Sequence, residues 1–338
     1  MAAHDANLSL GRRMKAPAAT RTRHLRKWGL PVETLVLGLT LALWIVMALT
    51  TSTFLTANNV VNILRQVSID SIIAFGVLFP ILIRGIDLSV GSVVALSGVV
   101  CASLLTAGVP IPLAIGLTLL LGVAIGSLNA FSVYRLGIPA FIITLAGLQA
   151  FRGGAFLVSD GTSVFGLPKA LSTFARAEWL GIPSLFWSML IIGLVLHFIL
   201  SRTRTGRYML AMGSNHESAR RAGINIKRIV FFAYIISSVT ACIAGMLLMS
   251  RMSIGSPTAG VAYELNAIAA AVVGGASLFG GRGSVLGTFI GALLFATIAN
   301  AANLLGIDSF WQMVATGVLI AAVVYVDNLH KRRQSGVK

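Results

Sequence analysis

Ten apolar stretches occupy most of this chain, and each is about as long as an α-helix that crosses a bilayer. Of the 338 residues, 57% are hydrophobic and only 11% are charged, whereas charged residues make up about 25% of a soluble domain. The chain is therefore predicted to be an all-α integral membrane protein with about ten transmembrane helices in one bundle. The predicted spans are residues 32–53, 69–84, 88–107, 110–134, 137–157, 181–200, 229–250, 262–279, 284–305 and 307–326.

The basic residues are distributed unevenly, and their distribution predicts the orientation. With ten crossings and both termini in the cytoplasm, the cytoplasmic segments carry 21 Lys and Arg residues and the outer segments carry four. This asymmetry follows the positive-inside rule, so the net charge of +16 indicates membrane lipid as a partner and not nucleic acid. The predicted parts are a disordered basic cytoplasmic arm (1–31), a polytopic domain (32–327) with a basic cytoplasmic loop (201–228), and a basic cytoplasmic tail (328–338).

Two short connections in the first third of the chain are predicted to be more than simple loops. Residues 58–68 place apolar and polar side chains on opposite sides of a helix, so a short helix is expected to lie there in the membrane interface. Residues 84–91 are too few and too rich in glycine for a normal solvated connection between two spans. A broken or re-entrant element is predicted at this point.

The loop over 201–228 carries the signature of a short capped helix. Ser214 and Glu217 form an S-x-x-E capping box, in which each side chain satisfies a free amide at the start of the helix. Gly223 is expected to end the helix in a left-handed conformation, and Ile224 supplies the hydrophobic contact that often follows. A helix of about two turns is marginal in water, so the bundle or a docked partner must hold it. A solvated charged connection is the alternative.

Three motifs occur in order along the chain. They are GRY, GSN, AR and AGI within 206–224, GIDLSVG at 85–91, and PTAG, YEL, IAA, GG, SL and GG within 257–281. Together they resemble the membrane subunit of ATP-binding-cassette sugar importers, the ribose, xylose, arabinose and galactose group, and the last motif is most similar to the ribose-type branch. The resemblance covers about residues 35–327. Asn266 replaces an acidic residue of ribose permeases, which leaves the identity of the sugar open.

The resemblance implies a permease subunit that carries a monosaccharide, ribose or similar, across the bacterial inner membrane. Such a subunit is expected to form a homodimer and to work with a cytoplasmic ATPase and a periplasmic sugar-binding protein. The resemblance also implies that the capped segment is the ATPase-coupling helix, with residues Ser214, Asn215, Glu217, Ser218, Ala219, Arg220, Arg221, Ala222 and Gly223.

The chain itself contains no G-x-x-x-x-G-K-[ST] phosphate-binding loop. ATP and magnesium are therefore expected to bind to the partner ATPase, and no cofactor, metal ligand or catalytic residue is expected in this chain. The protein is predicted to be a transporter subunit and not an enzyme.

A sugar pathway needs polar groups inside the bundle but little buried charge. The candidate pathway residues are Asp87, Ser89, Ser92, Asn129, Gln149, Glu264, Asn266, Asn300 and Asn303, and Arg152 is a further polar residue within a span. Other interpretations stay open, because Asp87 can cap the third helix and Glu264 can be a charge at a helix N-terminus. Arg152 can pair with a carboxylate or extend to the interface, and the two asparagines at 300 and 303 can bond between helices.

Two other classes of protein remain as alternatives. An ion-coupled secondary transporter of a small polar solute needs carboxylates or charge pairs at the midplane, for which Asp70, Asp87 and Arg152 are available. Such a transporter has no use for a capped cytoplasmic helix. An intramembrane enzyme needs a nucleophile with a base or a metal cluster, but the five histidines are scattered, and only His197 lies within a predicted span.

Overall fold

The computed structural model describes residues 32–308 and, beyond them, residues 310, 311, 313, 314, 317, 318, 321 and 325. The predicted arm over 1–31 and the predicted tail over 328–338 lie outside the described residues, as does much of the predicted span 307–326. The helices are α1 (Val32–Thr50), α2 (Ala57–Leu82), α3 (Val90–Thr106), α4 (Ile111–Tyr134), α5 (Ala140–Val158), α6 (Lys169–Arg176), α7 (Ser184–Arg202), α8 (Arg204–Ser214), α9 (His216–Arg221), α10 (Ile226–Met252), α11 (Tyr263–Val273) and α12 (Val285–Leu304).

In the described part of the chain, seven helices are long and apolar enough to cross a membrane, namely α1, α2, α4, α5, α7, α10 and α12. Two further apolar helices, α3 and α11, are shorter. These nine helices coincide with the first nine predicted spans. The predicted class, an all-α polytopic membrane protein, is therefore confirmed.

The second helix corrects one prediction. Residues 58–68 do not form a separate interfacial helix, because they are the first turns of α2, which continues unbroken to Leu82. The helix begins after Thr56, whose side chain accepts a hydrogen bond from the backbone N–H of Asn59. No glycine or proline occurs between Ala57 and Phe75 to interrupt it. The amphipathic pattern of its first turns reflects one face packed on the bundle.

The interior of the bundle is built around α2 and α10, which are buried along most of their length. Helix α10 contacts α3 and α4, whereas α2 contacts α11 and α12. The buried residues at these contacts belong to one continuous apolar cluster. By contrast, α1, α4, α5 and α7 expose large apolar side chains, such as Leu49 and Leu157, along their outer faces. An extensive exposed apolar surface is expected of a protein whose solvent is lipid.

The chain between α2 and α3 is not helical, as the sequence predicted. Arg84 has a φ of +67°, so the chain reverses direction directly after α2. The following residues return into the bundle, where Gly85 packs against the ring of Tyr234 so closely that a Cβ there would lie 2.5 Å from the phenolic oxygen. We call residues 83–89 the return segment. Non-helical backbone at membrane depth is tolerated only where protein surrounds it.

The connection between α5 and α7 contains structure that the sequence did not predict. It holds α6 and a hairpin of two strands, β1 (Glu178–Trp179) and β2 (Ile182–Pro183), in which Glu178 pairs with Pro183 and Trp179 with Ile182. Glu178 also accepts a hydrogen bond from Arg65 of α2 at 3.0 Å. This ion pair links the connection to the start of α2.

Glycine allows α4 to approach α10. A Cβ at Gly126 would lie 2.6 Å from both the Cα of Ile235 and the carbonyl oxygen of Tyr234. The obstructing atoms are backbone atoms, so they cannot turn away as a flexible side chain can. Ten residues earlier in α4, Gly116 has no atom within 4 Å of such a Cβ.

This contrast predicts opposite effects of the same substitution. Gly126→Ala is expected to destabilise the protein by about 1–3 kcal/mol, because it forces two buried helix backbones apart. Gly116→Ala is expected to leave stability unchanged or slightly higher, because alanine favours a helix more than glycine does. Thermal unfolding of the two purified variants in detergent measures the difference, and equal midpoints would contradict the close approach of α4 to α10.

Candidate functional site

The short capped helix predicted from the sequence is present as α9, but its cap is one residue later than predicted. Asn215 is the N-cap, and its Oδ1 accepts a hydrogen bond from the backbone N–H of Ser218 at 2.9 Å. Ser214 is instead the last residue of α8 and donates its hydroxyl to the carbonyl of Leu210. Since α8 extends through Ser214, only Asn215 has the extended backbone that an N-cap requires. The predicted capping box is therefore wrong.

Glu217 also behaves differently from the capping-box prediction. Its carboxylate does not reach back to the start of the helix but accepts a hydrogen bond from Arg221 Nε at 3.1 Å, one turn later. Both side chains of this pair are largely exposed, so the pair contributes little to stability. The predicted C-terminus is correct, because Gly223 has a φ of +78° and the N–H of Ile224 donates to the carbonyl of Ala219.

All six residues of α9 are described, and within this helix only Ala219 is buried. His216 lines a cavity with Arg84, Met212 and Tyr234, and all five residues of the helix other than Ala219 are exposed. They include Arg220 and Arg221, and Lys227 and Arg228 are exposed nearby. The helix thus meets the bundle at Ala219, at His216 and at its ends, while its basic side chains are exposed.

Arg84 joins α9 to the return segment. Its guanidinium donates two hydrogen bonds of 2.6 Å, from Nε to the carbonyl of Gly213 and from Nη2 to the carbonyl of Ser214. These carbonyls belong to the last turn of α8, directly before the N-cap of α9. Hydrogen bonds from a charged donor are among the stronger ones in proteins. The start of α9 is therefore fixed to the same residue that turns the chain back into the bundle.

The backbones around Arg84 are in close contact. The N–H of Gly281 donates to the carbonyl of Leu82 at 2.9 Å, and a Cβ at Gly213 would collide with both of these groups. Gly280 and Gly281 adopt φ values of +78° and +76°, which L side chains rarely adopt. Three separate parts of the chain, the end of α2, the end of α8 and the turn before α12, are thus locked together. We call this contact the inner junction.

Farther inside the bundle, the return segment is held by the carboxylate of Asp87, which is fully buried. Asp87 Oδ1 accepts from the backbone N–H and the hydroxyl of Ser89, at 3.0 and 2.6 Å, and Oδ2 accepts from Ser237 Oγ of α10 at 2.7 Å. Asn129 of α4 donates to Ser89 Oγ at 3.1 Å, and Ser92 donates to the carbonyl of Ser89. The N-cap of α3 is Ser89 and not Asp87.

Four of the predicted pathway residues, Asp87, Ser89, Ser92 and Asn129, therefore come together in one buried network. Each is at most 1% exposed, and their polar atoms bond to one another, to Ser237 or to backbone. The arrangement can hold the return segment against α4 and α10. Their role in the pathway stays a prediction.

Except for Glu264, whose carboxylate lies against Gly91 at the start of α3, the other predicted pathway residues are dispersed. Asn300 of α12 exchanges two hydrogen bonds with Asn59 of α2, at 2.8 and 3.0 Å, as expected of interhelical bonding. Gln149 is exposed on α5, and Asn303 is exposed near the end of α12. Glu264 lies in the first turn of α11, where an acidic side chain is favoured. Only Asn266 lines a cavity of substantial size.

Arg152 has a structural partner. Its Nη1 donates to the carbonyls of Pro257 and Ala259, at 2.8 and 2.6 Å. These carbonyls belong to the non-helical connection that leads from α10 into α11. Arg152 therefore fixes this connection to α5, and does not extend to the interface as one of the two sequence interpretations proposed.

The cavity beside Asn266 brings in polar residues that the pathway prediction did not include. It measures about 480 Å³, lies between α2, α11 and α12, and is lined by Gln66, Asp70 and Tyr263 in addition to Asn266. Asp70 had been noted only as a possible ion-coupling group. The position of its carboxylate within a predicted span could have indicated a pathway residue. The sequence prediction divided α2 at residue 68, however, and so separated Asp70 from Gln66.

Similarity to known proteins identifies the family of this chain. A family model described as "Branched-chain amino acid transport system / permease component" matches residues 59–323. The ribose import permease protein of Haemophilus influenzae is 43% identical over 279 residues, which cover 81% of this chain and 86% of that protein. The D-allose transport system permease protein of Escherichia coli is 41% identical over 277 residues, covering 82% of this chain and 85% of that protein.

The xylose transport system permease protein of Escherichia coli is 34% identical over 348 residues, covering 84% of this chain and 88% of that protein. No solved structure matches the chain. The region matched by the family model includes the return segment and α9, and it begins after α1. The chain therefore belongs to this family of membrane permeases.

The buried network predicts a specific cost for removing one charge. Asp87→Asn is expected to lower stability by about 1–3 kcal/mol, because the amide NH₂ brings a donor against donors already aimed at the carboxylate. Asp160→Asn is the matched control, since Asp160 is exposed and asparagine tolerates its φ of +48°. Thermal unfolding of both variants is the measurement. An Asp87→Asn protein as stable as the control would show that the network does not hold the return segment.

Proposed function

We propose that the chain is the transmembrane subunit of an ATP-binding-cassette importer that carries a monosaccharide across the bacterial inner membrane. The observation that carries this proposal is the similarity, over more than four fifths of the chain, to permeases named for the import or transport of ribose, D-allose and xylose. Because the ribose permeases are the most similar of these three, ribose is the first sugar to test. The ion-coupled alternative is not favoured.

We further propose the partners and their positions. A cytoplasmic ATPase, which binds ATP and magnesium, docks on α9, since the exposed basic side chains there form a surface that the bundle leaves uncovered. A periplasmic sugar-binding protein docks on the opposite face, and two copies of the chain form the permease. With both termini in the cytoplasm, the segments carrying most of the basic residues lie on the ATPase side.

The geometry suggests how ATP hydrolysis reaches the bundle. A displacement of α9 by the ATPase would pull on the carbonyls of Gly213 and Ser214, and Arg84 would pass that displacement to the return segment. The return segment is rigidly attached to α10 through Asp87 and Ser237. A shift of the inner junction would therefore move α3 and α10 together, which is the kind of discrete rearrangement that transport requires.

Arg84 tests this connection. In the complete importer in proteoliposomes, Arg84→Ala is expected to reduce sugar uptake about tenfold or more while leaving ATP hydrolysis largely intact, since two charge-assisted hydrogen bonds are lost. Arg84→Lys is expected to rescue only in part, because an ammonium does not reproduce the planar pair of donors. Arg135→Ala is the control, because Arg135 is an exposed arginine at the end of α4. An equal ratio of sugar taken up to ATP hydrolysed in Arg84→Ala and wild type would refute the role of Arg84 in coupling.

The caps of α9 test the docking surface. A double substitution, Asn215→Ala with Gly223→Val, removes the N-cap acceptor and disfavours the left-handed C-terminus. Loss of the N-cap alone costs about 0.5–2 kcal/mol, which a helix of six residues cannot absorb. We expect the ATPase to dissociate during copurification and uptake to cease, while the permease stays in the membrane.

Ser201→Ala is the control for the capping experiment, because the Ser201 side chain is exposed at the end of α7, outside α9, and donates only to the carbonyl of His197 in its own helix. It is expected to behave as wild type. Normal ATPase binding and uptake in the double variant would rule out α9 as the coupling helix.

A further inference from the structure

The cavity between α2, α11 and α12 has one polar wall and one apolar wall. Gln66, Asp70, Tyr263 and Asn266 form the polar wall, which we call the polar cluster. The remaining lining is largely apolar and includes Ile73, Ala270, Ala292, Phe295 and Ile298. A volume of about 480 Å³ lies within the range of roughly 300–1,000 Å³ typical of small-molecule sites. The cavity can therefore hold a molecule of monosaccharide size.

The polar cluster is held in a fixed orientation. Gln66 Nε2 donates to both carboxylate oxygens of Asp70, at 3.2 and 3.0 Å, and Gln66 Oε1 accepts from Arg251 Nη1 at 3.1 Å. The amide thus bridges a guanidinium and a carboxylate, so that the two charges balance without direct contact. A neutral ligand can enter such a site without leaving a charge unpaired.

The cluster also has unused hydrogen-bonding capacity. An ionised carboxylate offers about four acceptor positions, and Gln66 occupies only part of those on Asp70. The side-chain amide of Asn266 makes no hydrogen bond with any described residue, although it lines the cavity. Polar groups that face a cavity inside a membrane protein and lack partners are expected to serve a polar ligand.

The depth of the cluster fits a transport pathway. Asp70 lies halfway along α2, and α11 begins beside it at Tyr263, after a non-helical connection from α10. Binding sites near the middle of the bundle, at the ends of interrupted helices, are a recurrent arrangement in transporters. The network around Asp87 does not offer this, because its polar atoms are fully buried and bonded to one another.

We propose that this cavity is the monosaccharide site of the permease. Asp70 accepts hydrogen bonds from sugar hydroxyls, Asn266 both donates and accepts, and the ring of Tyr263 packs against the C–H face of the sugar. A sugar presents hydroxyls in several directions and an apolar ring face, which matches a cavity lined by a carboxylate, amides, a phenol and alkyl groups. This inference rests on the proposed function, because it names the site through which that function acts.

The test uses a cysteine at the polar cluster of the complete importer in lipid nanodiscs. The two native cysteines, Cys101 and Cys242, are buried, so a thiol reagent reports mainly on a new cysteine. Asn266→Cys is labelled with a small methanethiosulfonate during ATP turnover, with and without D-ribose, D-allose or D-xylose. We expect a transported sugar, at several times its half-saturating concentration, to slow labelling about fivefold or more, because an occupied cavity excludes the reagent. Asn62→Cys, exposed on α2 outside the cavity, should show no protection.

A second variant covers the case in which Asn266→Cys abolishes transport. Asn266→Asp, compared with Asn62→Asp, is expected to change the ratio of uptake among the three sugars about threefold or more. The substitution replaces the amide donor by an acceptor, and the three sugars differ in the orientation of the hydroxyls that would bond to it. A change in selectivity is not expected of a residue that acts only by packing.

The outcomes separate this inference from the function. Absence of both protection and a change in selectivity, in importers that still take up sugar, would overturn the cavity assignment and leave the proposed function intact. Failure of the wild-type importer to take up any of the three sugars, or a hexose and pentose panel, would overturn the proposed function itself.

Discussion

The structure depends on one buried carboxylate that holds a non-helical stretch of chain inside a membrane bundle. In lipid, backbone and side-chain polar groups find no water, so a helix can be interrupted only where the protein supplies every missing partner. In the return segment Asp87 accepts from the N–H of Ser89 and from Ser237, and Asn129 donates to Ser89. The carbonyl of Pro80 accepts from the N–H of Gly85, and Thr144 donates to the carbonyl of Ile86. Without these bonds, α3 would have no fixed starting position, and the packing of α3 on α10 would be lost.

The same segment also links the membrane core to α9, the surface on which we propose that the ATPase docks. Arg84 lies at the end of this segment that follows α2, and Asp87 lies nearer α3. A single short stretch of chain therefore contacts α8, α10 and the turn before α12. The polar residues of the bundle thus divide into two kinds. Those around Asp87 satisfy one another and fix positions, whereas those around Asp70 retain capacity and face a cavity.

Local patterns predicted the helices but not the long-range partners. Hydrophobic length predicted nine spans that the structure describes, the glycines near residue 85 predicted the interruption after α2, and Gly223 predicted the end of α9. The errors arose where two neighbouring residues were equally suitable as an N-cap, or where one helix was amphipathic in its first turns and apolar in the rest. Asparagine caps a helix as well as serine does, so the choice between Ser214 and Asn215 depended on where α8 ended. The amphipathic first turns of α2 resembled an interfacial helix because one face packs on the bundle.

The candidate site was the least predictable part, because its contacts join residues far apart in the sequence. Asp87 and Ser237 are 150 positions apart, and Arg251 and Gln66 are 185 apart. No local pattern indicates that one aspartate would be fully bonded and the other would line a cavity. The family resemblance supplied the transport class, which the spacing of polar residues alone did not determine.

The central claim is that the chain forms a passage whose movement is powered by a separate ATPase through α9. The most direct measurement is sugar accumulation in proteoliposomes that contain the chain alone, or the chain with the ATPase and the sugar-binding protein. We predict accumulation against a concentration gradient only in the complete system, with ATP supplied on the side of the membrane that carries the ATPase. Uphill accumulation by the chain alone, driven by a proton or sodium gradient, would contradict the account.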